Sequence, residues 1–252
     1  KTTLTIELSS NKNFGMIAVR LCEVDQNSNS NLVTFGILNL NQIKGKNTNY
    51  KIKANKKYKI IINLNHTGYE FKKNNKIRVS LSTSYWPMAW PLHEKFTLKI
   101  YLKNSFIELP KRISLVRNNS FQKAEQSKFL SFNQLIKPRR VRQITNNIGS
   151  DEVLYSIKDF FGKIKLKEAN LITENFTSQK YYLNESDPLS AKAQYDFQYL
   201  FQRSKWLIDI KGLVILTCDR KYFYLETSII AKHNNLNIFK KNKKYKILRK
   251  GF

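Results

Sequence analysis

Histidine is scarce in this chain of 252 residues. The three histidines are His66, His93 and His233, and none has a second His or Cys at the spacing of a metal-binding motif. A protein zinc site needs three or four such ligands. The sequence therefore predicts no metal site, and we expect each histidine to have a structural or solvent-exposed role.

Glycine is also sparse, with eight residues in the chain. The nucleophile elbow of α/β hydrolases has the form G-x-S-x-G, and none of the eight glycines makes that pattern. The glycine-rich phosphate loop and the dinucleotide fingerprint are absent as well. We therefore predict no catalytic residue and no cofactor in this chain, and leave open whether it is part of an enzyme.

Long apolar runs are missing too. The run GLVIL at 212–216 is far shorter than the ~20 residues of a membrane-spanning helix, and KTTLTIELSS at 1–10 lacks the pattern of a signal peptide. The only cysteines, Cys22 and Cys218, lie in apolar, strand-like runs, where free thiols behave as small hydrophobes. We expect no membrane partner, and cysteine usage favours a reducing, cytoplasmic location.

Acidic residues are outnumbered, with 18 Asp and Glu against 45 Lys and Arg, so the net charge is +27. Such a charge points to nucleic acid or another anionic polymer. Only ten of the basic residues are Arg, however, and the many Lys are scattered among Asn and Ile, the residues that AT-rich codons encode. We do not expect nucleic acid as a partner, and a basic β-sandwich that binds nucleic acid or an anionic polymer remains an alternative.

What the sequence does contain is β-strand patterning. Alternating β-branched and aromatic residues occur at 3–8, 14–24, 32–38, 58–64, 76–84 and 95–102, and again at 170–183, 193–202, 205–217 and 221–231. We predict an all-β fold with a β-sandwich at 1–112, a polar connector at 113–150 and a second antiparallel β-rich region at 151–252. The lysine-rich run KKNKKYK at 240–246 predicts an edge strand protected by charge.

Two stretches resemble a known family. They are IAVRLCEVDQNSNSNLVTFGILNLNQ at 17–42 and YEFKKNNKIRVSLSTSYWPMAWPLHEKFTLKIYLKNSFIELP at 69–110. Both are similar to the non-catalytic C-terminal domain of X-prolyl dipeptidyl-peptidases and of cocaine-esterase-like (CocE/NonD) serine hydrolases. A looser similarity to one branch of that family continues through ESDPLSAKAQ at 185–194 and RSKW at 203–206.

The resemblance implies a galactose-binding-like jelly-roll β-sandwich that braces an α/β-hydrolase catalytic domain, located in the same or a neighbouring polypeptide. The family's catalytic triad lies in that hydrolase portion, so no catalytic residue is carried over. Where the family has Gly-His-Arg before a strand, this chain has Asn74, Asn75 and Lys76, and asparagine is a residue that tolerates the left-handed turn conformation. A decayed fragment of a hydrolase gene remains a further alternative.

A loop rich in aromatic residues and proline, SYWPMAWPL at 84–92, is the candidate interface or core-capping site. Proline removes a ladder donor and each aromatic side chain offers ~150–250 Å² of surface. Three roles are open: capping the domain's own core, docking on the catalytic domain, or stacking on a carbohydrate. The residues concerned are Tyr85, Trp86, Pro87, Trp90 and Pro91.

Overall fold

The computed structural model describes residues 1–45, 50–111 and 122–249. By their internal contacts these residues form two compact units. Unit 1 contains residues 1–45 and 50–111, and unit 2 contains residues 122–249. Both units are built from antiparallel strands, so the predicted all-β fold class is confirmed.

Unit 1 is a pair of three-stranded sheets and one short 3-10 helix, Leu40–Gln42. Its strands are β1 (Thr3–Ser10), β2 (Met16–Val24), β3 (Ser30–Asn39), β4 (Tyr58–Asn63), β5 (Lys76–Ser82) and β6 (Leu98–Glu108). One sheet has the order β4-β1-β6 and the other β3-β2-β5. The strands predicted for the first hundred residues are thereby confirmed within a few residues at their ends.

The core of unit 1 lies between its two sheets. Alternation in β1 directs Leu4, Ile6 and Leu8 to one face, and these side chains share a buried cluster with Ile17, Val19 and Leu21 of β2. Each such burial contributes about 1.5–3 kcal/mol. The packing of two antiparallel sheets on one apolar core makes unit 1 a β-sandwich, as predicted.

The turn before β5 shows how asparagine replaces the glycine of the family. Asn74, which stands where the family has glycine, adopts φ 71° in the turn before β5. Asparagine tolerates this left-handed conformation better than most residues, so the turn is kept without glycine.

Unit 2 is an eight-stranded antiparallel sheet. Its strands are β7 (Phe132–Ile136), β8 (Arg139–Asn147), β9 (Glu152–Leu166), β10 (Leu171–Asn184), β11 (Asp187–Arg203), β12 (Trp206–Cys218), β13 (Tyr222–His233) and β14 (Leu236–Leu248). From β9 to β14 each strand pairs with the next along the chain. β14 is a terminal strand of this sheet, which confirms the predicted lysine-rich edge strand.

The stretch predicted as a connector contains two strands. Within 113–150, strands β7 and β8 both pair with β9, and unit 2 begins before residue 151. Charges and Pro138 made this stretch look like a linker, but ladder hydrogen bonds use the backbone and do not require apolar side chains. Residues 112–121 of the predicted connector lie outside the described residues, and the boundaries 1–112 and 151–252 remain a prediction.

Candidate interaction sites

The loop at 84–92, which we call the Trp-Pro loop, lies between β5 and β6 in unit 1. Its backbone is held by a hydrogen bond in which Ala89 N donates to Tyr85 O over 2.9 Å. The Ser82 hydroxyl donates to Ser84 O over 2.8 Å and so fixes the start of the loop. The Trp86-Pro87 peptide bond is cis.

The aromatic residues of this loop contact each other and unit 1. Trp86 and Trp90 meet edge to face with their ring centroids 5.0 Å apart. Tyr85 packs edge-on against Phe35, with centroids 5.4 Å apart, and the Arg20 guanidinium lies 5.5 Å from the Tyr85 ring centroid. Both tryptophans are half-buried and Pro91 is buried.

Beneath the loop lies a second, smaller apolar cluster, made of Phe14, Met16 and Leu92. Ala89 packs against this cluster, and the His93 ring lies 4.5 Å from that of Phe14. Met88 is the exception, with 60% of its surface exposed. The loop geometry favours core capping among the three predicted roles, and the role of its residues remains a prediction.

Sequence reasoning missed a buried carboxylate. Glu23 at the end of β2 is only 3% exposed. It accepts a hydrogen bond from the Tyr69 hydroxyl over 2.6 Å and another from Lys72 N over 2.7 Å. The Tyr69 bond is the main cause that holds the pKa of Glu23 below its ordinary value of 4.5, and the Lys72 bond adds to it. Glu23 therefore ties the segment before β5 to the sandwich.

The outer face of sheet β4-β1-β6 carries exposed apolar side chains. Ile61 and Phe106 both pair with Thr5 and are 65% and 51% exposed, while Thr5 between them is buried. Leu102 in the nearby β6 bulge is 77% exposed. Exposed apolar patches of this kind mark interaction surfaces.

Unit 2 ends in a cationic edge. All thirteen residues of β14 are exposed, and they include Lys240, Lys241, Lys243, Lys244 and Lys246. Lys244 pairs with Glu226 at 2.9 Å, and the Lys246 ammonium lies 4.1 Å from the Tyr222 ring centroid. A row of lysines along an edge strand discourages pairing with another strand.

A shallow depression of about 380 Å³ lies on the sheet of unit 2. Phe176, Leu213 and Ile230 line it together with Asp196, Gln198 and Lys211. Its polar groups are engaged within the sheet, since Gln194 Nε2 donates to Asp196 Oδ2 and Gln198 Nε2 donates to Asp209 Oδ1. The depression therefore combines polar and apolar surface.

The three histidines and two cysteines are divided between the two units. Among residues 1–45, 50–111 and 122–249, no three His, Cys, Asp or Glu side chains come together as a metal site would require. Cys22 is buried in unit 1 and Cys218 is half-buried in unit 2, and neither forms a disulfide. No helix in the described part of the chain has the length and hydropathy to cross a membrane.

These observations define unit 1 as an antiparallel β-sandwich with an apolar loop and a buried carboxylate. The chain belongs to the family of the X-Pro dipeptidyl-peptidase C-terminal non-catalytic domain, whose family model matches residues 1–127. The resemblance to the X-prolyl dipeptidyl-peptidase domain inferred from 17–42 and 69–110 is thus confirmed. The match does not reach 185–206, so the looser similarity there remains a prediction. No curated protein and no solved structure matches the chain.

Proposed function

We propose that residues 1–127 are an accessory module of an X-prolyl dipeptidyl-peptidase or a CocE/NonD-type serine hydrolase. In this proposal the module has the jelly-roll, galactose-binding-like architecture of such domains and braces an α/β-hydrolase catalytic domain in the same or a neighbouring polypeptide. The single observation that carries the proposal is the family match over residues 1–127.

The outer face of sheet β4-β1-β6 supports a docking role for the module. Ile61 and Phe106 expose more than half of their surface on a face that the sandwich core does not need. A catalytic domain that covered these side chains would gain about 25 cal/mol for each Å² of apolar area buried. We therefore assign the docking surface to this face.

Association is the direct test. The probe is the α/β-hydrolase portion of an X-prolyl dipeptidyl-peptidase expressed without its own C-terminal domain. We expect the full chain to bind this portion and raise its melting temperature, and Phe106→Lys to weaken binding at least tenfold. Leu32→Lys, at a position 52% exposed in the other sheet, is the matched control. Absence of any association would overturn the proposal.

Turnover gives the second test. The chain alone should not hydrolyse X-Pro anilides or short acyl esters, because its chemistry depends on the other domain. Hydrolysis by the purified chain that a serine-reactive phosphonate abolishes would contradict a non-catalytic role.

A second candidate function is binding of an anionic polymer. The five exposed lysines of β14 favour it, because clustered cations gain affinity by releasing counterions from a polyanion. Three of them, Lys243, Lys244 and Lys246, already interact with Glu226 or an aromatic ring within unit 2, which reduces what they offer a ligand.

A further inference from the structure

Unit 2 lacks an interior. Among the described residues, the buried apolar side chains lie in unit 1 with the exception of Ala191. The contacts between the strands of unit 2 are those of neighbours within the one sheet. A sheet with one apolar face must bury it against another layer, and the described strands of unit 2 supply none.

The strand register sorts the residues of this sheet onto two faces. β11 pairs with β12, and β12 with β13, without a bulge, and β10 pairs with β11 without one from Ile172 to Tyr182. Side chains alternate between faces along a strand. One face therefore takes every second residue of 173–181, 193–201, 208–216 and 225–233, and we name it the uncharged face.

The name follows from its composition. None of the twenty residues on the uncharged face is Asp, Glu, Lys or Arg, although 25% of the chain is charged. The intervening positions on the opposite face include Asp196, Asp209, Lys211, Glu226 and Lys232. This separation is typical of a sheet with one face in water and the other in contact with protein.

The side chains of the uncharged face differ in size from one strand to the next. Along β11, Tyr195, Phe197 and Tyr199 form an aromatic ridge with successive ring centroids 6.1 Å and 5.5 Å apart. Along β12 the residues opposite this ridge are smaller, with Val214 and Gly212 at its centre. A Cβ on Gly212 would lie 2.1 Å from the Phe197 ring. The Phe197 ring therefore lies over Gly212, and the aromatic ridge extends across the centre of β12.

The size of the face fits a protein interface. Strands lie ~4.8 Å apart and rise ~3.4 Å per residue, so four strands over nine residues cover about 600 Å². One side of a standard protein interface buries ~800 Å². All twenty residues are half-exposed except the buried Gly212 and Thr177, so most of this area is available.

We propose that a second copy of this chain covers the uncharged face. A two-fold axis parallel to β11 and β12 and midway between them would place the aromatic ridge of each copy over Ile210 and Val214 of the other. A contact of this kind is self-complementary, as an isologous interface requires. Two sheets packed in this way lie ~10 Å apart.

The opposite face carries the charges of these four strands. They are Glu174, Asp196, Asp209 and Glu226 together with Lys180, Lys211 and Lys232. Burying a charged group costs free energy unless it is paired. A second copy on the uncharged face leaves all seven of these side chains in water.

Sedimentation equilibrium of the full chain tests the proposal, with two variants at neighbouring positions of β12. Val214→Lys places a charge on the uncharged face, and Leu213→Lys places the same charge on the opposite face. We expect a closed dimer for the wild-type chain, a dissociation constant raised at least ~100-fold by Val214→Lys, and a change below about threefold for Leu213→Lys. A wild-type chain that stays monomeric at about 100 μM, or that grows into open-ended aggregates, would overturn the proposal.

A labelling experiment keeps the test decisive if a lysine variant unfolds. In a Cys218→Ser background, Thr227→Cys and Ser228→Cys place thiols on opposite faces of β13 with little change in size. We expect alkylation of the Thr227→Cys thiol to slow at least tenfold between about 1 and 100 μM protein, while the Ser228→Cys thiol reacts at an unchanged rate. Equal protection of both thiols, or of neither, would refute the proposed interface.

Discussion

At Gly36, two strands of the sandwich approach so closely that a larger side chain does not fit. Gly36 lies in β3 where that strand passes the end of β4, and a Cβ at this position would be 2.6 Å from the carbonyl oxygen of Asn63. Two hydrogen bonds fix the neighbouring backbone, because Asn65 N donates to Phe35 O over 2.9 Å and the Thr34 hydroxyl donates to Asn65 O over 2.8 Å. These bonds resist the movement that an added methyl group would require.

We therefore expect Gly36→Ala to lower the free energy of unfolding by about 1–3 kcal/mol, the usual cost of overpacking. Gly68→Ala is the matched control, because nothing lies within 4 Å of its added Cβ; we expect no loss of stability there. Urea unfolding measured by circular dichroism compares the two variants. Equal stability of both would show that the strands separate easily at Gly36.

Glu23 makes the stability of unit 1 depend on pH. The hydrogen bonds from Tyr69 and Lys72 lower the pKa of Glu23 in the folded chain below 4.5. A carboxyl group with a lowered folded pKa stabilises the fold above its unfolded pKa, and this contribution is lost as the pH falls through the folded value. The loss from Glu23 should therefore occur below pH 4.5.

We expect Glu23→Gln to be less stable than wild type at pH 7 and to approach it as the pH falls below 4.5. Glu70→Gln, at an exposed neighbouring position, should parallel wild type throughout. In a Trp206→Phe background the remaining tryptophans, Trp86 and Trp90, report unfolding of unit 1 by fluorescence. A difference between Glu23→Gln and wild type that stays constant down to pH 3 would contradict the assignment.

At the scale of elements, the Trp-Pro loop contains neighbouring residues that differ strongly in burial. Trp90 is half-buried against Trp86, whereas Met88 in the same loop is 60% exposed. Trp90→Ala should cost about 2 kcal/mol of stability, less than the ~3–5 of a fully buried aromatic residue. Met88→Ala should change it by less than about 0.5 kcal/mol. Urea titration gives both values; if Trp90→Ala left stability intact but weakened binding of the hydrolase portion, the loop would be a docking element instead.

Substitution of the β14 lysines tests whether they bind an anionic polymer or only protect the edge of the sheet. We expect heparin retention of the chain to be lost by about 0.2 M salt, as diffuse charge is screened. Replacing Lys240, Lys241 and Lys243 by Gln should then weaken retention no more than replacing Lys51, Lys53 and Lys59, which lie in unit 1. Retention above 0.2 M salt that only the β14 substitutions abolish would favour the anionic-polymer function.

How far the sequence predicts these elements depends on what each strand buries. Runs such as 14–24 and 205–217 alternate or are apolar throughout, and the structure has them as strands. The stretch 132–147 was missed because its pairing with β9 rests on backbone hydrogen bonds beneath exposed, charged side chains. The buried role of Glu23 could not be foreseen, because its partner Tyr69 lies 46 residues away and the contact exists only in the folded sandwich. The uncharged face had a visible signal in the alternation of 193–201, but its continuity across four strands depends on register.

At the scale of the whole molecule, the two units differ in how they are stabilised. Unit 1 has the buried apolar cores and the family match, whereas unit 2 is a sheet with half-exposed side chains on both faces. Unit 1 should therefore keep its stability at any protein concentration. Unit 2, if a second copy completes it, gains stability from association and so depends on concentration.

We expect thermal unfolding of the full chain to show this difference. Trp206 lies in unit 2, and Trp86 and Trp90 lie in unit 1. A variant that keeps only Trp206 therefore reports the unfolding of unit 2 by fluorescence, and a variant that keeps only Trp86 and Trp90 reports the unfolding of unit 1. Raising the protein concentration 100-fold adds ~2.7 kcal/mol to the stability of an associated state, which corresponds to several degrees for a domain of this size. The transition of unit 2 should rise by that amount while that of unit 1 stays fixed. If neither transition temperature changed with protein concentration, the sheet of unit 2 would be stable without a second layer. Its uncharged face would then not be covered by a second copy.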